Sequence, residues 1–215
     1  MDWVQAIVNG IMLGGLYALF AAGLSLVFGV MRLVNLAHGD FSVLAAYLAL
    51  LLADHLSLSP WVALLLVVPA MAAGGFVVQY GLLNFTLDSG LAPLLATFGL
   101  AIIVQNGLLE GFTANSQGLD AGSIETSGIH ITDQLSIGWF PLITLIAAVV
   151  VLTGLQVLMR YTGLGRALRA TSDDQRAARL VGIDNRRIYA IAMAISLATA
   201  AVAGIFLGIS NTFVP

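Results

Sequence analysis

Six stretches of this chain carry almost no charge, and that feature limits its possible folds more than any motif does. Trp3 to Met31 contains no Asp, Glu, Lys, Arg or His. About 20 consecutive apolar residues cross the hydrocarbon core as a helix, which predicts span 1 near Val4 to Val30. The same reasoning puts span 2 at Phe41 to Ala53, short enough to borrow its first turn from Leu36 to Asp40. Spans 3 to 6 are predicted at Trp61 to Leu83, Leu91 to Leu109, Trp139 to Met159 and Ile188 to Ser210. A signal peptide does not fit the first run, which is too long and glycine-rich and lacks both a basic flank and a cleavage site before a polar chain. Barrel strands would alternate in polarity over about ten residues, whereas these runs are continuously apolar. With 60% hydrophobic and 9% charged residues, the chain could not keep a soluble surface, which needs about 25% charge. The expectation is an all-α, polytopic helical bundle forming one transmembrane domain over residues 1–215.

The connections orient the bundle. Residues 110–136 form a polar loop with four acids and no Arg, while residues 160–187 carry seven of the eight Arg and three Asp. Positive residues collect on the cytoplasmic side, so the second loop is predicted inside and the first outside. Arg32, the remaining basic residue, lies four spans earlier and returns to the same side provided span 2 crosses fully. That puts the N-terminus outside. Lys is absent and the formal charge is −3, so no basic face exists for nucleic acid. Cys is also absent, which excludes disulfides and thiolate chemistry.

Two spans carry small residues at every fourth position: Ala6, Gly10, Gly14, Ala18 and Ala22 in span 1, and Ala192, Ser196, Ala200, Gly204 and Gly208 in span 6. Such rows let neighbouring helices approach closely. Asp40, Asp54, Asp88 and Glu110 all fall at predicted span ends. An ion-driven carrier needs ionisable groups within the membrane, so this placement argues against one. His38, His55 and His130 have no metal-ligand spacing, and no Walker-type loop occurs. No enzyme, metal or cofactor is expected. In the inner loop, Ser172 followed by Gln175 fits a capping box, and Gly182 suits a helix stop. A short helix from Asp173 to Val181 is predicted, resting on its own membrane domain or docking into a partner.

The stretch Gly23-Leu-Ser-Leu-Val-Phe-Gly-Val-Met-Arg-Leu-Val-Asn-Leu-Ala-His-Gly-Asp-Phe41, with Leu44-Ala-Ala-Tyr47 after it, resembles the N-terminal signature of branched-chain amino acid ABC transporter permeases of the LivH type. Residues Gly163 to Asp184 are similar to that family's ATPase-contacting loop, with Ala177-Ala178 and Gly182-Ile183 standing for its EAA motif without the leading Glu. The resemblance covers essentially the whole chain. Family members run on for about two further spans, so the expectation is a chain lacking those C-terminal spans.

The resemblance implies a subunit of an ATP-driven importer in a bacterial inner membrane. Cytoplasmic ATP-binding subunits would bind the ATP, a second related permease would complete the pore among membrane lipid, and a periplasmic binding protein would deliver a branched-chain or other hydrophobic amino acid. Urea and short-chain amide importers share the architecture, and a self-sufficient secondary transporter or channel is a further alternative. By resemblance, Asp173, Asp174, Arg176, Ala177, Ala178, Arg179, Gly182 and Ile183 make the ATPase-coupling set, with Ala177 and Ala178 permitting close approach. Asn35, His38 and Asp40 belong to a motif near the inner mouth that gates it, or else cap span 2. Tyr17, Thr97, Ser196 and Thr199 are polar candidates for lining the pathway, or for bonding neighbouring helices.

Overall fold

The computed structural model describes residues 2–87, 91–112, 115–119, 122, 127–132 and 135–214. Asp88 and the loop acids Asp120, Glu125 and Asp133 fall outside them. The elements are α1 (Asp2–Met31), α2 (His38–Leu56), α3 (Pro60–Gly81), a 3₁₀ turn (Leu83–Phe85), α4 (Ala92–Phe112), β1 (Gly128–Thr132), β2 (Leu135–Gly138), α5 (Trp139–Tyr161), α6 (Gly163–Asp173), α7 (Gln175–Leu180) and α8 (Asn185–Ser210). Six of the helices, α1 to α5 and α8, are long and apolar enough to cross a membrane.

The last span is the central one. In its most apolar window 67% of α8 is buried, against 11% for α5. Helices α1, α2 and α3 pack around α8, α5 rests on α1, and α4 on α2. The row of small residues explains why α8 can be surrounded. Ala192, Ser196 and Ala200 are fully buried, and at Gly204 a Cβ would collide with the backbone of Ser42. The row on α1 behaves differently: a Cβ added at Gly10 or Gly14 would meet nothing within 4 Å. Helix α1 makes its close approaches through Gly15, against Leu145, and Gly23, against Ser196 and Thr199.

Trp3, Trp61 and Trp139 begin α1, α3 and α5 at one end of the bundle, where Trp61 meets Phe206 edge-on at 6.1 Å. Tyr80 and Tyr161 close α3 and α5 at the other end. Trp and Tyr favour the membrane interfaces. From Trp61 to Tyr80 the helix rises about 28 Å, close to the roughly 30 Å hydrocarbon thickness. All eight Arg lie toward the Tyr end, where Arg32 shares a surface depression with Asp173, Asp174 and Arg176.

The helical bundle is as expected, and at the Trp end the polar loop adds to it a small antiparallel hairpin, pairing Gly128 with Gly138 and Ile129 with Ile137. Alternating Ile129, Ile131, Leu135 and Ile137 supply the period-2 pattern a hairpin needs. Part of the same loop is packed against the end of α8. Gln117 and Phe213 exchange backbone hydrogen bonds of 2.9 and 2.8 Å, and Leu119 is buried over Gly208.

Candidate functional site

The link between α1 and α2 does not stay at the membrane surface. Helix α1 ends with Arg32 in a left-handed conformation (φ 54°), and residues 33–37 then run back up beside it. His38 Nε2 reaches the carbonyl of Phe20 at 3.2 Å, eleven residues above Met31, or about 16 Å along the helix. A carbonyl only accepts, so Nε2 carries the proton; Nδ1 is buried with no hydrogen-bond partner. A sequence-only reading sets His38 and Asp40 at an inner mouth, counting residues as though helices began at the interface. The fold moves both to mid-membrane.

Non-helical backbone at that depth must be satisfied by protein, and here side chains do so. Asn35 Oδ1 accepts from Ala37 N at 3.1 Å, its Nδ2 contacts Met193 Sδ at 3.8 Å, and Thr97 Oγ1 accepts from Leu36 N at 3.3 Å while donating to Leu94 O. Beside them Thr199 donates to Ser196 O at 2.8 Å, and the Ser196 hydroxyl is buried without a partner. Gly23 makes room for this junction: a Cβ there would strike Thr199, Ser196 and His38. The fold therefore gathers Asn35, His38, Thr97, Ser196 and Thr199. Tyr17 is left out, exposed on α1.

Asp40 sits at the edge of the junction, half-buried, accepting from Gln105 Nε2 at 2.8 Å. Gln105 and Asn106 are exposed on α4. Three polar side chains thus gather within the apolar length of α2 and α4, a placement rare among lipid-facing residues. Reading the sequence alone passed over this pair, although two adjacent amides in the middle of an apolar run were a visible signal.

The Arg-rich loop holds two helices, not one. Ser172, in the last turn of α6, donates to Gly29 O at 2.6 Å, tying the loop to α1. The N-cap of α7 is Asp174, accepting from Arg176 N at 2.7 Å and Ala177 N at 3.0 Å. Those bonds, Ala177 first, hold its carboxyl below the usual range. The break at Asp174 follows from its extended backbone (φ −149°), which a continuous helix from Asp173 cannot contain. Gly182 stops α7 as its sequence suggests, at φ 86°, and Gly182 N to Arg179 O and Ile183 N to Ala178 O complete a Schellman motif.

The apolar face of α7 is free, but one residue expected to permit close approach is turned in: Ala178 is 2% exposed, packed inside its own loop, while Leu180 is 88% and Val181 77% exposed. Ala177, Arg176, Arg179 and Asp173 remain accessible. Two large apolar side chains therefore stand free at the tip of a short helix capped at both ends.

A family model for the branched-chain amino acid transport system permease component matches residues 6–215. The chain belongs to this permease family. LivH of Salmonella typhimurium, named a high-affinity branched-chain amino acid transport system permease, is 29% identical over 96% of this chain and 70% of its own length. BraD of Pseudomonas aeruginosa is 26% identical over 96% of the chain and 71% of its length. LivM of Escherichia coli, also named a high-affinity branched-chain amino acid transport system permease, is 28% identical over 93% of the chain and 51% of its length. No solved structure matches. Membership accords with the six apolar helices, and the chain is a multi-pass membrane permease component.

Proposed function

We propose that this permease forms half of an importer for branched-chain or other hydrophobic amino acids, driven by ATP hydrolysed on cytoplasmic subunits that grip α7. Leu180 and Val181 carry the proposal: a short, doubly capped helix holding two apolar side chains out at the Arg-rich end is a rigid plug for a partner groove. Arg176 and Arg179 flank it and suit acidic groups on that groove's rim. Ala178, Gly182 and Ile183 act from behind, shaping the loop. The N-terminus and the hairpin face outward, toward a periplasmic binding protein, in a bacterial inner membrane. The mid-membrane face bearing Asp40, Gln105 and Asn106 lines the pathway against a second related permease, and the buried junction of Asn35, His38, Thr97, Ser196 and Thr199 sets its shape.

The experiment is paired substitution of Leu180 and Val181 by Glu. The expected chain inserts and folds normally, no longer copurifies with ATPase subunits, and imports no leucine in ATP-loaded vesicles. Full copurification and import would sink the plug. One observation favours a secondary transporter: His38 and Asp40 do lie at membrane depth, where ion-coupling groups belong. Uptake that survives ATP depletion but collapses with the proton gradient would decide for that reading.

A further inference from the structure

At the Trp end the stretch 115–119 lies across the end of α8 and is held there at two points. Gln117 and Phe213 exchange their backbone hydrogen bonds, and Leu119 N donates to Gly208 O at 2.9 Å. Gly208 is the last small residue of the α8 row, and its neighbours account for it: a Cβ there would strike the Phe213 ring at 2.8 Å and press on Leu119 at 3.1 Å. Leu119 and Phe213 are both buried. Beside them sits Tyr47 of α2, its ring 4.9 Å from Phe213 edge-on and 4.4 Å from Phe112 at the end of α4. Tyr47 is fully buried, and its hydroxyl has no hydrogen-bond partner. A tyrosine near a membrane boundary ordinarily keeps its hydroxyl wet, and buried polar groups are nearly always paired. Here aromatic rings enclose the side chain instead.

This cover stands on the seam that carries the polar face. Asp40 and Tyr47 are seven residues apart on α2, and Gln105 and Phe112 are seven apart on α4. In each helix that is two turns along one face, about 10 Å. The Asp40–Gln105 and Tyr47–Phe112 pairs are therefore successive rungs of one seam, the polar rung deeper and the aromatic rung nearer the Trp end. A molecule moving from the Trp end toward Asp40 and Gln105 meets the aromatic rung and its cover first. We infer that residues 115–119 and Phe213 form a gate, shut in this structure, that lifts off the α2–α4 seam to admit substrate. The inference rests on the importer reading, which turns the Trp end outward and puts Asp40 and Gln105 on the pathway.

The cover is suited to moving while its base stays still. Those three backbone hydrogen bonds and the side chains of Leu119 and Phe213 hold it down, whereas α2 is locked on α8 by backbone contact at Gly204. A segment resting on few contacts opens without unfolding the elements beneath it. Lifting it uncovers the Tyr47 hydroxyl to water or to the polar groups of a passing amino acid, so that hydroxyl is unpaired only while the gate is shut.

Two measurements on the assembled complex test this. Gly118 and Thr212 flank the bridge and are exposed, and a Cβ on Gly118 lies 3.9 Å from the Thr212 methyl, close enough for a disulfide. The chain has no Cys of its own, so Gly118→Cys with Thr212→Cys makes one reversible clamp that leaves Leu119 and Phe213 in place. Oxidation should cut ATP-driven leucine import about tenfold or more, as expected of a jammed gate. Reduction should restore import, and either single variant should be indifferent to oxidant. The binding protein should still dock on the oxidised complex. Undiminished import through a cross-link verified by mass spectrometry overturns the gate. Loss of docking overturns it too, making the segment a docking surface. The second measurement needs no variant: amide exchange at residues 117–119 and 213 in resting complex and during turnover. Exchange should rise with turnover there and not in the middle of α8. Equal protection in both states overturns the gate, whether or not the cross-link forms. Uptake that follows the proton gradient instead of ATP, yet still stops on oxidation, faults the importer reading and leaves the gate standing.

Discussion

The small-residue rows of α1 and α8 are nearly interchangeable on paper, yet they do opposite things in the fold. On α8 the row is consumed: Ala192, Ser196, Ala200 and Gly204 are buried against helices on several sides, with Ser42 backbone pressed on Gly204. On α1 the upper part of the row faces outward, and a Cβ on Gly10 or Gly14 would meet nothing within 4 Å. Spacing by four permits close approach; it does not say whether a neighbour arrives. What decides is position in the bundle, since α8 is enclosed by three helices and α1 lies at the rim against α5 and α8.

The largest effect expected from this contrast is at Gly204. Gly204→Leu must push α2 off α8, because the obstructing atoms are Ser42 backbone. A loss of roughly 3 kcal/mol or more is expected, at the upper end of overpacking costs, read as failure to yield monodisperse protein in detergent. A normal yield would mean that α8 is not the centre of the bundle. Gly23→Ala comes next. Its added methyl meets the ends of Thr199 and His38 as well as Ser196 backbone, and ~1–3 kcal/mol is expected as a lowered melting temperature.

A smaller, local effect tests the cap of α7. The bonds from Ala177 N and Arg176 N depress the Asp174 carboxyl, so the cap is at full strength above the ordinary carboxylate range and is lost as pH falls through the depressed value. Amide exchange in residues 175–180 should rise there and not in α8, whereas Asp174→Ala should show the raised exchange already at neutral pH. Equal exchange in both would mean that the cap does not hold α7. Smallest of all is Gly14→Leu, expected to shift the melting temperature of the detergent-purified chain by no more than about 0.5 kcal/mol would. A large loss would show that the α1 row has a partner within the chain after all.

The number of spans, the gathering of the Arg at one end of the bundle and the stop at Gly182 were legible in the sequence, because each depends on local composition or on one residue's backbone preference. Uncharged length specifies a crossing helix, and Gly tolerates φ 86° where other residues do not. The hairpin's alternation was also visible, but a short polar loop offers nothing else to distinguish strand from coil. Depth and facing were not legible. His38 and Asp40 follow α1 so closely that counting residues leaves them at its end, and only the return of residues 33–37 alongside α1 carries them to mid-membrane beside Phe20 and Gln105. Likewise Ala178 and Leu180 fall on opposite faces of α7, two residues apart, and which one points out was set by how α7 packs on α6 and α8. Local sequence determines which residues can be helical, close-packed or capped. Which of them meet is decided by how the rigid helices stack on α8, a property of the whole bundle that no single segment encodes.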